Sequence, residues 1–92
     1  MAGGNGTVLP PKEAEYEKWI RQHPHGYVIN AHKTSSVPMV WHRAHCHHIR
    51  PDGSTRFVEG PYLKACAMNP GDLATWAKSR PEALRCCPDC RG

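Results

Sequence analysis

Cys87-Pro88-Asp89-Cys90 puts two thiols one tight turn apart, and no other local feature so narrows what this 92-residue chain can fold into. Two intervening residues let both sulfurs aim at one tetrahedral metal ion, about 2.3 Å from each. A chain this short buries only roughly 60% of the surface its unfolded form exposes, so a core alone stabilises it thinly. Apolar residues make up 39% of it and there is a single Phe. Such domains recruit disulfides or a metal, and five cysteines and seven histidines are at hand. No basic segment followed by an apolar run opens the chain, and an odd cysteine count argues against a disulfide framework. The expectation is therefore reduced thiols, a structural Zn²⁺ and a cytoplasmic setting. No apolar run approaches the ~18 residues of a membrane span. A redox pair would sit at the start of a helix beside a βαβ pattern; this one lies just before Arg91-Gly92.

A four-coordinate site needs two more ligands. Cys46 and Cys66 each end an expected strand, so the preferred set is Cys46, Cys66, Cys87 and Cys90. His42, four residues before Cys46, is the main rival for the place of Cys66, with His45, His47 and His48 behind it. Cys66 also reads as a buried apolar thiol, since free cysteine packs well in cores. Cys86 is left over, because adjacent cysteines rarely both reach one ion.

Local patterns predict a small α+β domain, a three- or four-stranded antiparallel sheet flanked by two helices. Residues 1–10, rich in Gly and Pro, are expected to be disordered and 11–92 to form the single domain. Residues 11–22 read as a helix, with Tyr16, Trp19 and Ile20 on one face and Glu13, Glu15 and Glu17 near its positive end. His23-Pro24-His25-Gly26 stops it. Strands are expected at 27–30, 39–44 and 62–66, and a hairpin around Pro51-Asp52-Gly53-Ser54. Asn69 reads as the N-cap of a second helix, with Pro70 in its first position and Asp72 in its first turn.

The formal charge is +4. Four thiolates and one Zn²⁺ would bring it to about +2, so the distribution of charge says more than its total. No acidic residue lies between Lys18 and Pro51, a stretch that holds Lys33, Arg43, Arg50 and all seven histidines. Such a segment suits a surface facing a polyanion. Lys33, Arg43, Arg50, Arg56 and Lys64 are the candidate phosphate contacts, and Trp41, His42 and Arg43 the candidates nearest the bases. Trp41 reads equally well as core.

Taken together, His23-Pro24-His25-Gly26-Tyr27-Val28-Ile29-Asn30, the run Trp41 to Ile49, Leu63-Lys64-Ala65-Cys66, the Leu73-x-x-Trp76 helix and the terminal Cys-x-x-Cys resemble a small bacterial module. That module reads 5-methylcytosine in DNA and occurs alone or fused to HNH restriction endonucleases. The resemblance spans roughly residues 19–90. It implies binding of double-stranded, modified DNA without cleavage, in the nucleoid, and a two-fold dimer would double the footprint. Two other readings stand beside it. One is a zinc-ribbon-like protein-interaction domain. The other is a metal-dependent nuclease built on the histidine cluster, which needs an acid that the segment from Lys18 to Pro51 does not supply.

Overall fold

The computed structural model describes residues 6–50 and 56–90. Helix α1 runs Glu13–Gln22 and buries Tyr16 and Ile20. Pro11, expected in its first turn, lies ahead of it, and Lys12 takes the N-cap position in extended conformation without a side-chain cap. The chain then reverses through His23-Pro24-His25-Gly26 into strand β1, Tyr27–His32. A Cβ at Gly26 would come within 2.6 Å of Trp19 Cη2 and 3.2 Å of the Ala67 carbonyl, so any larger residue there displaces the indole. Strand β2 is Met39–Arg43, β3 is Tyr62–Ala67, helix α2 is Pro70–Lys78, and a short β4 covers Leu84–Cys86. Helix α2 starts as its sequence dictates: Asn69 Oδ1 accepts from the Gly71 N–H at 2.7 Å, Pro70 needs no partner for an N–H it lacks, and Asp72 sits in the first turn.

The strands form one four-stranded sheet in the order β3-β1-β2-β4. β1 pairs antiparallel with both β2 and β3, whereas β4 joins the far side of β2 in parallel. The sheet is thus mixed rather than purely antiparallel. β3 and β4 run in the same direction, and parallel strands need a crossover, which α2 supplies. The expected hairpin has its turn outside the described residues; its described flanks, 47–50 and 56–60, are turns and bends rather than strands.

Strand alternation splits the core into two layers. One face of the sheet carries Val28, Val40, His42 and Cys66, and against it pack α1 and the segment after β2 through Tyr16, Ile20, Ala44, Ile49 and Phe57. The opposite face carries Ile29, Ala31, Met39, Trp41, Ala65 and Ala67 beneath Leu73 and Ala77 of α2. Residues 1–5 of the expected disordered segment lie outside the described residues. The rest of that segment is bound: Val8 makes a two-way backbone bridge with Cys66, at 2.8 and 2.9 Å, and Pro10 is buried.

A half-buried carboxylate and a buried lysine fasten the segment 57–59. The Glu13 carboxylate accepts from three successive backbone N–H groups, Phe57 at 3.0 Å, Val58 at 2.6 Å and Glu59 at 2.7 Å. Lys64, only 3% exposed, donates through Nζ to the Phe57 carbonyl at 2.7 Å. Tyr16 does the same for the segment after β2, its hydroxyl donating to the Ile49 carbonyl at 2.5 Å from a fully buried ring. Among the described residues no helix is long and apolar enough to cross a membrane.

Candidate metal centre

β2 and β4 together deliver the centre. His42 lies near the end of β2, and the chain turns directly after it so that Cys46 comes back over the same face. β4 pairs with β2 as far as Trp41 and Cys86, and the Cys87 N–H then bonds the Trp41 carbonyl at 2.9 Å, which seats the Cys87-Pro88-Asp89-Cys90 turn beside His42. One donor atom from each of His42, Cys46, Cys87 and Cys90 lies within 4.8 Å of the other three. Cys46 Sγ and Cys87 Sγ are 3.9 Å apart. Bonds of about 2.3 Å to a tetrahedral ion put sulfurs about 3.8 Å apart, whereas a disulfide needs about 2.05 Å. The spacing is that of a metal site.

Electrostatics agree with the geometry. Burial raises the Cys87 thiol, but the backbone N–H groups of Cys90 and Asp89 outweigh it and hold Cys87 below its ordinary value. The Arg43 N–H donates to Cys90 Sγ at 3.3 Å, a bond that steadies a thiolate. Burial pushes Cys46 up to about 12; the His48 N–H works against this, and the crowding thiols of Cys90 and Cys87 add to it. Three sulfurs in one buried corner repel as anions unless a cation sits among them. Burial, His48 and Lys64 drive His42 down to about 4, so its imidazole is neutral at pH 7, the form that ligates.

Cys66 is not part of this cluster, and His42 takes its place. The reason is strand order. Val28 of β1 pairs with His42 on one side and with Cys66 on the other, so the two lie in one cross-strand row with β1 between them. Two strand spacings are about 10 Å, too far to share an ion. Cys66 is fully buried, its thiol held near the Lys64 carbonyl, and it serves as core. Cys86 is exposed on β4 and is not one of the four clustered donors.

The candidate nucleic-acid contacts divide. Arg43 and Arg50 are exposed and line one groove with His45, His47, Cys46, Asp89 and Cys90. Neither arginine has a carboxylate partner among the described residues; Arg43 lies over the Tyr27 ring and Arg50 reaches the His45 carbonyl. Arg56 is exposed on a second groove, of about 590 Å³, with Asn30, His48, Phe57, Tyr62 and Asp89. Lys33 is exposed past the other end of β1. The remaining three are engaged within the fold. Trp41 is half-buried on the α2 face, its ring 5.8 Å from that of Tyr27; His42 belongs to the metal cluster; and Lys64 is committed to Phe57. Alternation places Trp41 and His42 on opposite faces of the sheet, and Trp41 packs partly buried against the cluster that holds Ile29, Met39 and Leu73.

A second group of donors emerges that the sequence kept apart. His47, His48 and Asp89 also bring one ligand atom each within 4.8 Å of one another, all exposed. The acid missing from the histidine segment is supplied from inside the cysteine turn, a juxtaposition visible only once that turn has closed on residues 46–48. Comparison with protein-family models, with curated proteins and with solved structures finds no match for this chain.

Proposed function

We propose that this chain is a zinc-stabilised module that binds double-stranded DNA without cutting it. Three thiolates and one neutral imidazole are a soft donor set that suits Zn²⁺, closed by protein ligands as structural sites are. With three thiolates ionised and one dication bound, the formal charge of +4 becomes about +3 on simple counting. The observation that carries the reading is the groove beside the metal cluster, where Arg43 and Arg50 stand exposed, without carboxylate partners among the described residues, next to His45 and His47. Guanidinium groups in that state bind phosphate oxygens in pairs and release counterions from DNA.

Preference for 5-methylcytosine is the finer part of the proposal. It is supported by the motif resemblance and by the second groove, where Phe57, Tyr62 and Val40 form an apolar wall. An apolar wall suits a methyl group.

The test is a mobility-shift titration of one duplex carrying unmethylated, hemimethylated or fully methylated cytosines, at two salt concentrations. Salt-sensitive binding that tightens with methylation supports the whole reading. Equal binding to all three discards the methyl preference. Absence of binding at low salt discards DNA and leaves a zinc-stabilised protein-interaction domain. Arg43→Ala and Arg50→Ala should each weaken binding and reduce the salt slope by about 1.

A further inference from the structure

We infer that His47, His48 and Asp89 form a second, solvent-open site for a divalent transition-metal ion, whose free coordination positions take a phosphate oxygen. The inference rests on the inner metal centre proposed above, because that centre builds the outer site. His47 and His48 follow its ligand Cys46 directly, and Asp89 lies between its ligands Cys87 and Cys90. Once the inner ligands are fixed, the outer three are brought together at no further cost in chain entropy.

Geometry and charge favour occupancy. The three donor atoms lie within 4.8 Å of one another. The His47 and His48 rings have centroids 4.2 Å apart, and both Nε2 atoms face Asp89 Oδ2, His47 at 3.8 Å and His48 in direct hydrogen bond. Two imidazoles and one carboxylate on one side of an ion leave its other positions open. A centre of three thiolates, one imidazole and Zn²⁺ carries a formal charge of about −1, and Asp89 adds another −1, so a second dication is drawn to the spot rather than repelled.

The open positions have somewhere to point. His47 and Asp89 line the groove that holds Arg43 and Arg50, while His48 and Asp89 line the groove that holds Arg56. The ion would sit on the ridge between them, with guanidinium groups on both sides. An anion with several oxygens, a phosphate diester above all, satisfies the metal and an arginine at once. Exposures of 73% for His47, 47% for His48 and 52% for Asp89 mark the site as exchangeable, unlike the buried centre.

The test starts from zinc-loaded protein freed of excess metal, in which elemental analysis reads the tightly held ion. Calorimetric titration with Ni²⁺ should show one further equivalent that dialysis removes. His47→Asn and Asp89→Asn should each abolish that equivalent while the tightly held zinc stays at one per chain. No second equivalent in the wild type, or the same equivalent in both variants, overturns the site. Loss of the tight zinc in wild type would instead defeat the inner centre, a separately read result. The duplex titration, repeated with and without Ni²⁺, should tighten severalfold in wild type and not in His47→Asn. A wild type that takes the ion without any change in duplex affinity overturns the phosphate role.

Discussion

Exchanging the roles of His42 and Cys66 makes the sharpest test of the metal centre. Consider His42→Ala and Cys66→Ala side by side. Structural zinc contributes an apparent free energy of roughly 10–16 kcal/mol, so one ligand in four is worth about 2.5–4 kcal/mol, on the order of 100- to 1,000-fold in affinity. His42 is 5% exposed, and no water can easily replace it at full strength. Cys66→Ala removes one buried sulfur from a fully covered position between Val28 and Val8. The transfer and cavity contributions of one such atom come to about 1–2 kcal/mol. That lowers Tm by about 4–8 °C per kcal/mol in a domain of this size and leaves the metal in place. The assay is zinc content after dialysis against a graded chelator, with thermal unfolding followed in parallel. His42→Ala should surrender zinc at far lower chelator concentration than wild type, and Cys66→Ala should track wild type while melting earlier. Zinc loss confined to Cys66→Ala would refute the strand-order argument.

Other perturbations report on the polar anchors and on the surface. Glu13→Gln replaces one of two acceptor oxygens with a donor facing backbone N–H groups, and should cost about 1–3 kcal/mol in urea unfolding at pH 7. Burial raises the Glu13 carboxyl, but the N–H groups of Glu59, Phe57 and Val58 together leave it below 4.5. The folded pKa is lower than the unfolded one, so this stabilisation is present above 4.5. The gap between wild type and Glu13→Gln should close as pH falls below that value. Burial lowers Lys64 to about 8, against the pull of Glu13 and Cys66. Between about 8 and 10.5 the unfolded chain binds the extra proton, so wild-type stability should rise with pH across that window, and Lys64→Met should lack the rise. Trp41→Phe should leave duplex affinity unchanged, because the ring packs against Tyr27 and the core cluster and its Nε1 is buried. Weakened binding in that variant, with stability intact, would put Trp41 back at the DNA.

Local signals carried much of this fold. Asn69, Pro70 and Asp72 mark the start of α2 through side-chain chemistry that works in isolation, and the Tyr16, Trp19, Ile20 spacing marks the buried face of α1. β4 was illegible because Leu84, Arg85 and Cys86 are all exposed and show no alternation; only its pairing with β2 makes it a strand. The same omission explains the error at Cys66. Without β4 on the outer edge of β2, nothing in the sequence says to which side of the sheet the cysteine turn returns. Lys64 read as a surface cation because its partner, the Phe57 carbonyl, belongs to a segment folded back by Glu13, more than 40 residues earlier in the chain. Asp89 was passed over for the same reason, since His48 stands 41 residues away and His47 one further.

The placement of β4 also ties the sheet's edge to the cell's supply of metal. Its three register pairs, the Met39 N–H to Ala83 carbonyl bond, the Cys87 N–H and the Arg43 N–H to Cys90 Sγ contact cover the outer backbone of β2, and the centre fastens that cover from one end. Binding to the folded form alone makes stability fall by about 1.4 kcal/mol for every tenfold drop in free ion. Chelation therefore loosens a cover strand as well as a site. What it uncovers is a row of unpaired N–H and C=O groups on Met39–Arg43, a template on which a second chain can add a strand. Metal starvation should show first as self-association through β2, before the α2 face of the core has opened.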